Sequence, residues 1–393
     1  MKNYMKLWPL WLFAFLFASY MALVSFLDSS MLTEVFHLKE SLVGLLYSLG
    51  SLFALIIVFL LPKIFKYSFP VKYVLASAAF ISTVAFAGLI FAPKLAPFAI
   101  VFFVLYLIAN TCIFYLADIV ITHYSNPENT GTMRGVYLTM MNIAWVIMPF
   151  ISGSLVQETG RYLTVYAIAG VLITLAGVLA LFFFESFTPH TSHHHERPHM
   201  NLKTFFQNRD LRMIFNTNMI LQTFYVVMVI YTPLYLSQNI GLSWSEIGII
   251  FTVMLTAFII FEYPLGYIAD HYLGEKEILT LGLLIMAGAT LGMALMPTGI
   301  SWLWWMLLMF GTRVGASMTE VMNETYFFKH VTADDVSYMS YYRNTRPLAY
   351  IIAPIIVSFL IGAFHLDNRH IFIALAVTVA LGLVWSLRLK DTK

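Results

Sequence analysis

The chain has 393 residues, of which 60% are hydrophobic and 11% charged, with a formal net charge of +2 and a mean hydropathy of +0.81. A soluble domain carries roughly 45–50% apolar and about 25% charged residues, so a soluble globular fold is excluded. The small net charge gives no footing for nucleic-acid binding, and the single cysteine, Cys112, excludes an intrachain disulfide.

A membrane-spanning helix needs about 20 mostly apolar residues. Twelve such stretches follow one another, centred near Ser19, Leu52, Val84, Leu105, Ala144 and Thr174, then near Tyr225, Met254, Met286, Leu307, Ile351 and Thr378. The first is one of many and lacks a small-residue cleavage site, so it reads as a retained helix and not a signal peptide. No alternating strand pattern competes, and an open sheet cannot span lipid. The longest polar stretch, Glu185 to Arg212, separates the two sets of six. It holds His190, His193, His194, His195 and His199, followed by a short surface helix expected over Asn201–Asn208. The expected organisation is an all-α polytopic membrane protein. Its twelve transmembrane helices form two six-helix bundles, 1–184 and 211–393, joined by a cytoplasmic linker over 185–210.

Loop charge sets orientation, because Lys and Arg concentrate on the cytoplasmic side. Fifteen basic residues lie on the side shared by both termini, among them Lys2, Lys6, Lys63, Arg134, Lys276 and Lys393. Four lie on the other side: Lys39, Lys94, Arg161 and Arg369. Arg313, Arg343 and Arg346 fall within spans. Both termini are therefore expected in the cytoplasm.

The halves repeat weakly. Ala144, Trp145 and Pro149 match Ala349, Tyr350 and Pro354, with 354 − 149 = 205. Ser41 and Gly44 match Ser245 and Gly248, with 248 − 44 = 204. Asp118 matches Glu324, with 324 − 118 = 206. Offsets this constant point to a duplicated six-helix unit.

Between the eighth and ninth spans lies Glu262-Tyr-Pro-Leu-Gly266-Tyr-Ile-Ala-Asp270-His-Tyr-Leu-Gly274-Glu-Lys276. A Pro and a Gly break up the end of one apolar run, and an Asp, a Gly and a Lys make a tight polar turn before the next. The stretch resembles the loop motif of the major facilitator superfamily, G-x-x-x-D-x-x-G-[RK]. Gly266 and Asp270 are in register. Gly274 falls one place late and Lys276 later than the usual basic position. The family also carries this motif between its second and third helices. Here that loop reads Leu61-Pro62-Lys63-Ile64-Phe65-Lys66-Tyr67, with the Asp and both Gly residues gone. The resemblance implies two parallel-related bundles with a midplane site, and places Gly266, Asp270, Gly274 and Arg346 at a gate.

Charges inside lipid cost at least ~2.5–3.5 kcal/mol each and mark function or structural pairing. Spans three, six, nine and twelve hold none in their interiors. In the resembled family those helices face lipid, while one, four, seven and ten line the cavity. Arg313, Glu320 and Glu324, at i, i+7 and i+11, share one face of span ten with Ser317. Such a stripe suits either a proton-titratable network or static glue between helices. In span eleven, Arg343 and Arg346 either grip an anion bidentately or neutralise Glu262, Glu320 and Glu324. Span seven carries a polar-aromatic stripe of Asn218, Gln222, Tyr225 and Thr232. The internal offset pairs Thr232 with Asp28, which either faces the cavity or lies at the membrane surface. Asn110, Thr111 and Asp118 interrupt span four, which lacks the arginine motif that the family has there. Asn142, Trp145, Pro149 and Gly153 in span five resemble the family's antiporter motif, but Met148 replaces the Gly before Pro149. The histidine cluster reads either as a hydrophilic linker or as a weak metal or pH-sensing segment. No nucleotide-binding loop of the G-x-x-x-x-G-K-[ST] type is present, and no catalytic arrangement stands out.

The expected function is secondary transport of a small organic solute by alternating access, coupled to protons and directed outward. The alternatives are proton-coupled uptake of a sugar, nucleoside or organic acid, and a sensor or scaffold that moves nothing. Asn218, Gln222, Tyr225, Asn142 and Trp145 are the candidate solute-binding residues. Asp28, Glu320, Glu324 and Arg313 are the candidate proton-coupling residues. No cofactor or metal is expected, and no enzymatic activity. The expected partners are the solute, a proton gradient and the bilayer, around a monomer in a bacterial-type inner membrane.

Overall fold

The structure, a computed structural model, describes residues 7–65, 69–91, 95–125, 130–159, 161–188, 202–331, 336–364 and 368–390. Helices dominate the described residues. In order they are α1 (Trp8–Ser25), α2 (Asp28–Glu34), α3 (Glu40–Phe65), α4 (Val71–Phe91), α5 (Ala96–Tyr124), α6 (Thr130–Thr159) and α7 (Tyr162–Phe183). There follow α8 (Leu202–Gln207), α9 (Arg209–Leu234), α10 (Trp244–His271), α11 (Glu275–Leu295), α12 (Trp302–His330), α13 (Val336–Arg343), α14 (Thr345–Phe364) and α15 (Asn368–Ser386). All twelve stretches expected to span fall inside a long helix. Among the described residues, eleven helices are long and apolar enough to cross a membrane. Helix α12 has the length, at 29 residues, but its charges lower its hydropathy.

Local chemistry explains where the helices begin. Asn208 caps α9 by accepting from the backbone N–H groups of Asp210 and Leu211. Ser243 and Glu246 form a reciprocal capping box at α10, which satisfies two backbone donors that otherwise lack partners. Gly241 adopts φ 80° just before that cap, a left-handed turn that glycine enters without a Cβ clash. The expected surface helix is present as α8. The histidine cluster, with residues 189–201, lies outside the described residues.

Three helices depart from the simple reading. The first span is interrupted at Phe26–Leu27, so Asp28 opens the separate helix α2. Helix α9 contains Pro233 and passes into a π turn over Tyr235–Asn239. Proline has no N–H to give the carbonyl one turn earlier, and the wider π turn absorbs the mismatch. The eleventh span is split at Asn344, leaving Arg343 on α13 and Arg346 on α14.

The chain divides into two compact units, residues 1–192 and 193–393. In the first, α1 packs on α6 and α7, α4 packs on α5 and α7, and α3 packs on α5. In the second, α9 packs on α14 and α15, α11 packs on α12 and α15, and α10 packs on α12. These are the same five pairings, taken in order. The helix starts repeat as well: Glu40 and Trp244 differ by 244 − 40 = 204, and Val71 and Glu275 by 275 − 71 = 204. Gly177 meets Ala79 where α7 crosses α4, and Gly382 meets Leu283 where α15 crosses α11; 382 − 177 = 205. Where α11 crosses α12, backbone approaches backbone. A Cβ placed on Gly315 would lie 2.5 Å from the Gly282 carbonyl oxygen and 2.5 Å from the Met286 backbone nitrogen.

Candidate functional site

The second unit concentrates its polar chemistry around the middle of α12. Arg313 lies 11 residues from the start of that helix and Glu320 lies 18, roughly 17 and 27 Å along its axis at 1.5 Å per residue. The Tyr225 hydroxyl on α9 donates to Glu320 Oε2 at 2.6 Å. Glu262 on α10, Glu324 on α12 and Arg346 on α14 stand near enough to act electrostatically on Glu320. Glu320 is half-buried, whereas Glu324 and Arg346 are exposed.

The expected stripe is present, but Arg313 and Glu320 do not form an ion pair. The Arg313 guanidinium instead lies over the rings of Phe224 and Tyr225, 5.2 and 5.9 Å from their centroids. A guanidinium is weakly hydrated and stacks well on aromatic faces. Seven residues of helix also separate the two side chains. Arg313 is 2% exposed, and its Nη1 is buried without a hydrogen-bond partner.

Of the solute-binding candidates, Tyr225 is thus joined to the carboxylate, and Gln222 is half-buried one turn away. The Asn218 amide donates to Thr345 Oγ1 at 2.8 Å, and Thr345 donates to the Tyr342 carbonyl at 2.8 Å. Asn218 therefore ties α9 to the break between α13 and α14.

The first unit holds a different constellation. Asp28 is 2% exposed, so it lies inside the bundle and not at its surface. It accepts from the Tyr166 hydroxyl at 2.5 Å, and Tyr47 and Tyr20 stand beside it. Tyr20 donates to Asn110 Oδ1 at 2.5 Å. One turn earlier on α7, Tyr162 donates to Glu34 at 2.6 Å. Two tyrosines at i and i+4 thus hold two acids of α2. A hydrogen bond to a charged group contributes about 1.5–3 kcal/mol, close to the ~2.5–3.5 kcal/mol cost of placing one charge in lipid. At Asp28 the hydroxyl donors offset burial only in part. Trp145 is half-buried and meets Phe26 edge-on at 6.2 Å. Asn142, one turn away on α6, is also half-buried.

In the motif-like stretch, α10 runs through Pro264 and Gly266 to His271. Gly266 packs toward Val321 of α12. The side chain of Asp270 lies outside the described residues. Gly274 caps α11 in an extended conformation. The next residue, Glu275, is fully buried and ion-paired with Lys329 near the end of α12. Lys329 stands 54 residues later, on another helix. The tyrosine cage around Asp28 was missed, although the i, i+4 spacing of Tyr162 and Tyr166 in an apolar span is a visible signal.

Two duplicated six-helix units, each with a carboxylate inside its bundle, define a polytopic integral membrane protein of the transporter type. The sequence model of the Major Facilitator Superfamily matches residues 9–345 and 213–393, and the chain belongs to that superfamily. A search of curated proteins returned no match. Among solved structures, the chain is similar to a bacterial homolog of the human lysosomal transporter Spinster, inward-facing and unoccupied. The TM-score is 0.75 at 13% identity, with 97% of this chain and 95% of the other covered. It is also similar to the nucleoside transporter NupG (TM-score 0.73, 15% identity, 98% and 99% covered). A third is the peptide transporter POT in complex with sulfate (TM-score 0.73, 12% identity, 97% and 93% covered). At these identities the likeness is one of fold.

Proposed function

We propose that the protein is a proton-coupled secondary transporter that exports a small organic solute by alternating access. The observation that carries this reading is Glu320: an acid midway along a spanning helix, held by the Tyr225 hydroxyl at 2.6 Å. An ionisable group in such a place marks an ion or proton pathway by default. Asp28 is a second acid in the first unit, and Glu324 lies one turn beyond Glu320. Gln222 and Tyr225 offer a polar-aromatic surface for the solute in the second unit, Asn142 and Trp145 offer one in the first, and Asn218 sets the position of α9. Gly266, Asp270, Gly274 and Arg346 serve the gate. The protein acts as a monomer in a bacterial-type inner membrane.

Flux in proteoliposomes tests the reading. Solute should accumulate against its gradient when protons are driven in the opposite direction through the protein. Accumulation only when solute and protons move together would replace export with uptake by symport. No flux of any member of a metabolite and drug library, including those that stabilise the purified protein thermally, would leave a sensor or scaffold.

Topology is tested separately. Both termini and the linker are proposed to be cytoplasmic, from the fifteen-to-four distribution of basic loop residues. A cysteine placed at His194 in a Cys112→Ala background should resist an impermeant thiol reagent on intact cells and react once the membrane is permeabilised. Labelling from outside intact cells overturns the orientation.

A further inference from the structure

We propose that Arg313 is an oxyanion-binding group, and that the transported solute carries a carboxylate or a phosphate. This rests on the reading of the protein as a transporter, and it names the class of solute.

Arg313 places a full positive charge inside a bundle. Arg313 is 2% exposed, and an arginine stays protonated in proteins. Among the described residues no carboxylate lies within ion-pair distance of it, and its Nη1 has no hydrogen-bond partner. The hydroxyls of Ser19, Ser29 and Ser358 are also buried without partners. Those are neutral, and they cost far less to leave unpaired than a charge does. The carboxylate on the same face, Glu320, is engaged by Tyr225.

What surrounds Arg313 holds the guanidinium without spending its donors. Phe224 and Tyr225 meet it through their ring faces. The N–H groups of a guanidinium lie in its plane, in a fork that matches the two oxygens of a carboxylate or phosphate. These contacts engage the charge of the guanidinium, and its Nη1 is left without a hydrogen-bond partner. Phe224 is fully buried, and the half-buried Tyr225 ring offers an apolar surface to whatever the anionic group is attached to. The arrangement therefore fits an organic acid or phosphate ester with a compact apolar body better than a sugar or a cation. Arg346, by contrast, is exposed; both arginines act electrostatically on Glu320.

The probes are benzoate, phenyl phosphate, the neutral isostere benzamide and a short-chain phosphatidic acid. Each is titrated against the purified full-length protein while its thermal unfolding is followed. Benzoate or phenyl phosphate should raise the unfolding temperature in a saturable way, and benzamide should not. Arg313→Gln should abolish the shift. Arg313→Lys keeps the charge but loses the fork, and should weaken binding roughly tenfold or more; it serves if the glutamine variant does not fold. Glu320→Gln should retain the anion response. Equal stabilisation by benzoate and benzamide, or an undiminished benzoate response in Arg313→Lys, overturns the proposal. A response to phosphatidic acid alone also overturns it, since the ligand is then a lipid headgroup and not a solute. Anion binding through Arg313 in a protein that carries nothing in liposomes would sink only the transport reading. Proton-driven flux of an uncharged solute, unchanged in Arg313→Lys, would sink only the anion proposal.

Discussion

Gly315→Leu is expected to give no folded protein, and Gly315→Ala to lower the unfolding temperature of the purified protein clearly. The new Cβ would sit 2.5 Å from the Gly282 carbonyl oxygen and 2.5 Å from the Met286 backbone nitrogen. Both obstacles are backbone, so no rotamer change relieves them and α11 must move bodily away from α12. Overpacking of this kind costs about 1–3 kcal/mol, and more when backbone is the obstacle. Helix α11 also packs on α15, so the displacement spreads. Gly288→Ala on the same helix is the control, because nothing lies within 4 Å of its added methyl. Replacing a helical glycine there is expected to be neutral or to stabilise by roughly 0.5–1 kcal/mol. Equal unfolding temperatures for the two alanine variants would show that the α11–α12 crossing yields more easily than its geometry indicates.

Glu320→Gln is expected to reduce proton-driven accumulation to the level of protein-free liposomes while sparing energy-independent exchange of solute. The substitution removes the titratable proton and little else. The glutamine amide oxygen still accepts from the Tyr225 hydroxyl, so the contact between α9 and α12 persists. Arg313 keeps its place because aromatic rings, not Glu320, hold it. Loss of expression is therefore not the expected outcome, which separates a coupling role from a structural one. Glu324→Gln, exposed one turn further along, should be milder. Normal accumulation by Glu320→Gln would move the coupling role to Asp28, where Asp28→Asn preserves the Tyr166 bond in the same way.

How much of this was legible in the sequence depends on whether the cause is local or distant. Twelve spans could be read because lipid demands long apolar runs, whatever the packing. The repeat could be read because nearly equal offsets, 205 and 204, linked Pro149 to Pro354 and Gly44 to Gly248. The stripe of Arg313 and Glu320 followed from helical periodicity. What periodicity could not supply was the partner. Arg313 looked paired to Glu320 on its own helix, yet the choice was made by Phe224 and Tyr225 on α9. Glu275 sat unnoticed beside the motif residues because its cation, Lys329, lies 54 residues on. Asp28 was placed either in the cavity or at the surface. Its burial rests on Tyr166, 138 residues away, and no local pattern carries that information.

The interruptions in the first and seventh spans have one more consequence. The break at Phe26–Leu27 precedes Asp28, and the π turn at Tyr235–Asn239 follows Thr232, the residue equivalent to Asp28 at the internal offset of 204. An unbroken α-helix resists bending because each turn is clamped to the next. Here the clamp is replaced: the Leu27 N–H reaches back only three residues, to Val24 at 2.8 Å. The Ile240 N–H reaches back five, to Tyr235 at 3.1 Å, and the Ser237 hydroxyl serves the Pro233 carbonyl at 2.8 Å. Each bundle thus has a joint toward the end of its leading helix, before Asp28 in the first and after Thr232 in the second. Bending there is cheap, since it exchanges one set of weak, already irregular bonds for another. The segments beyond the joints, Asp28–Glu34 and Tyr235–Asn239, should swap their amide protons for deuterium sooner than α4 or α11, whose ladders are continuous.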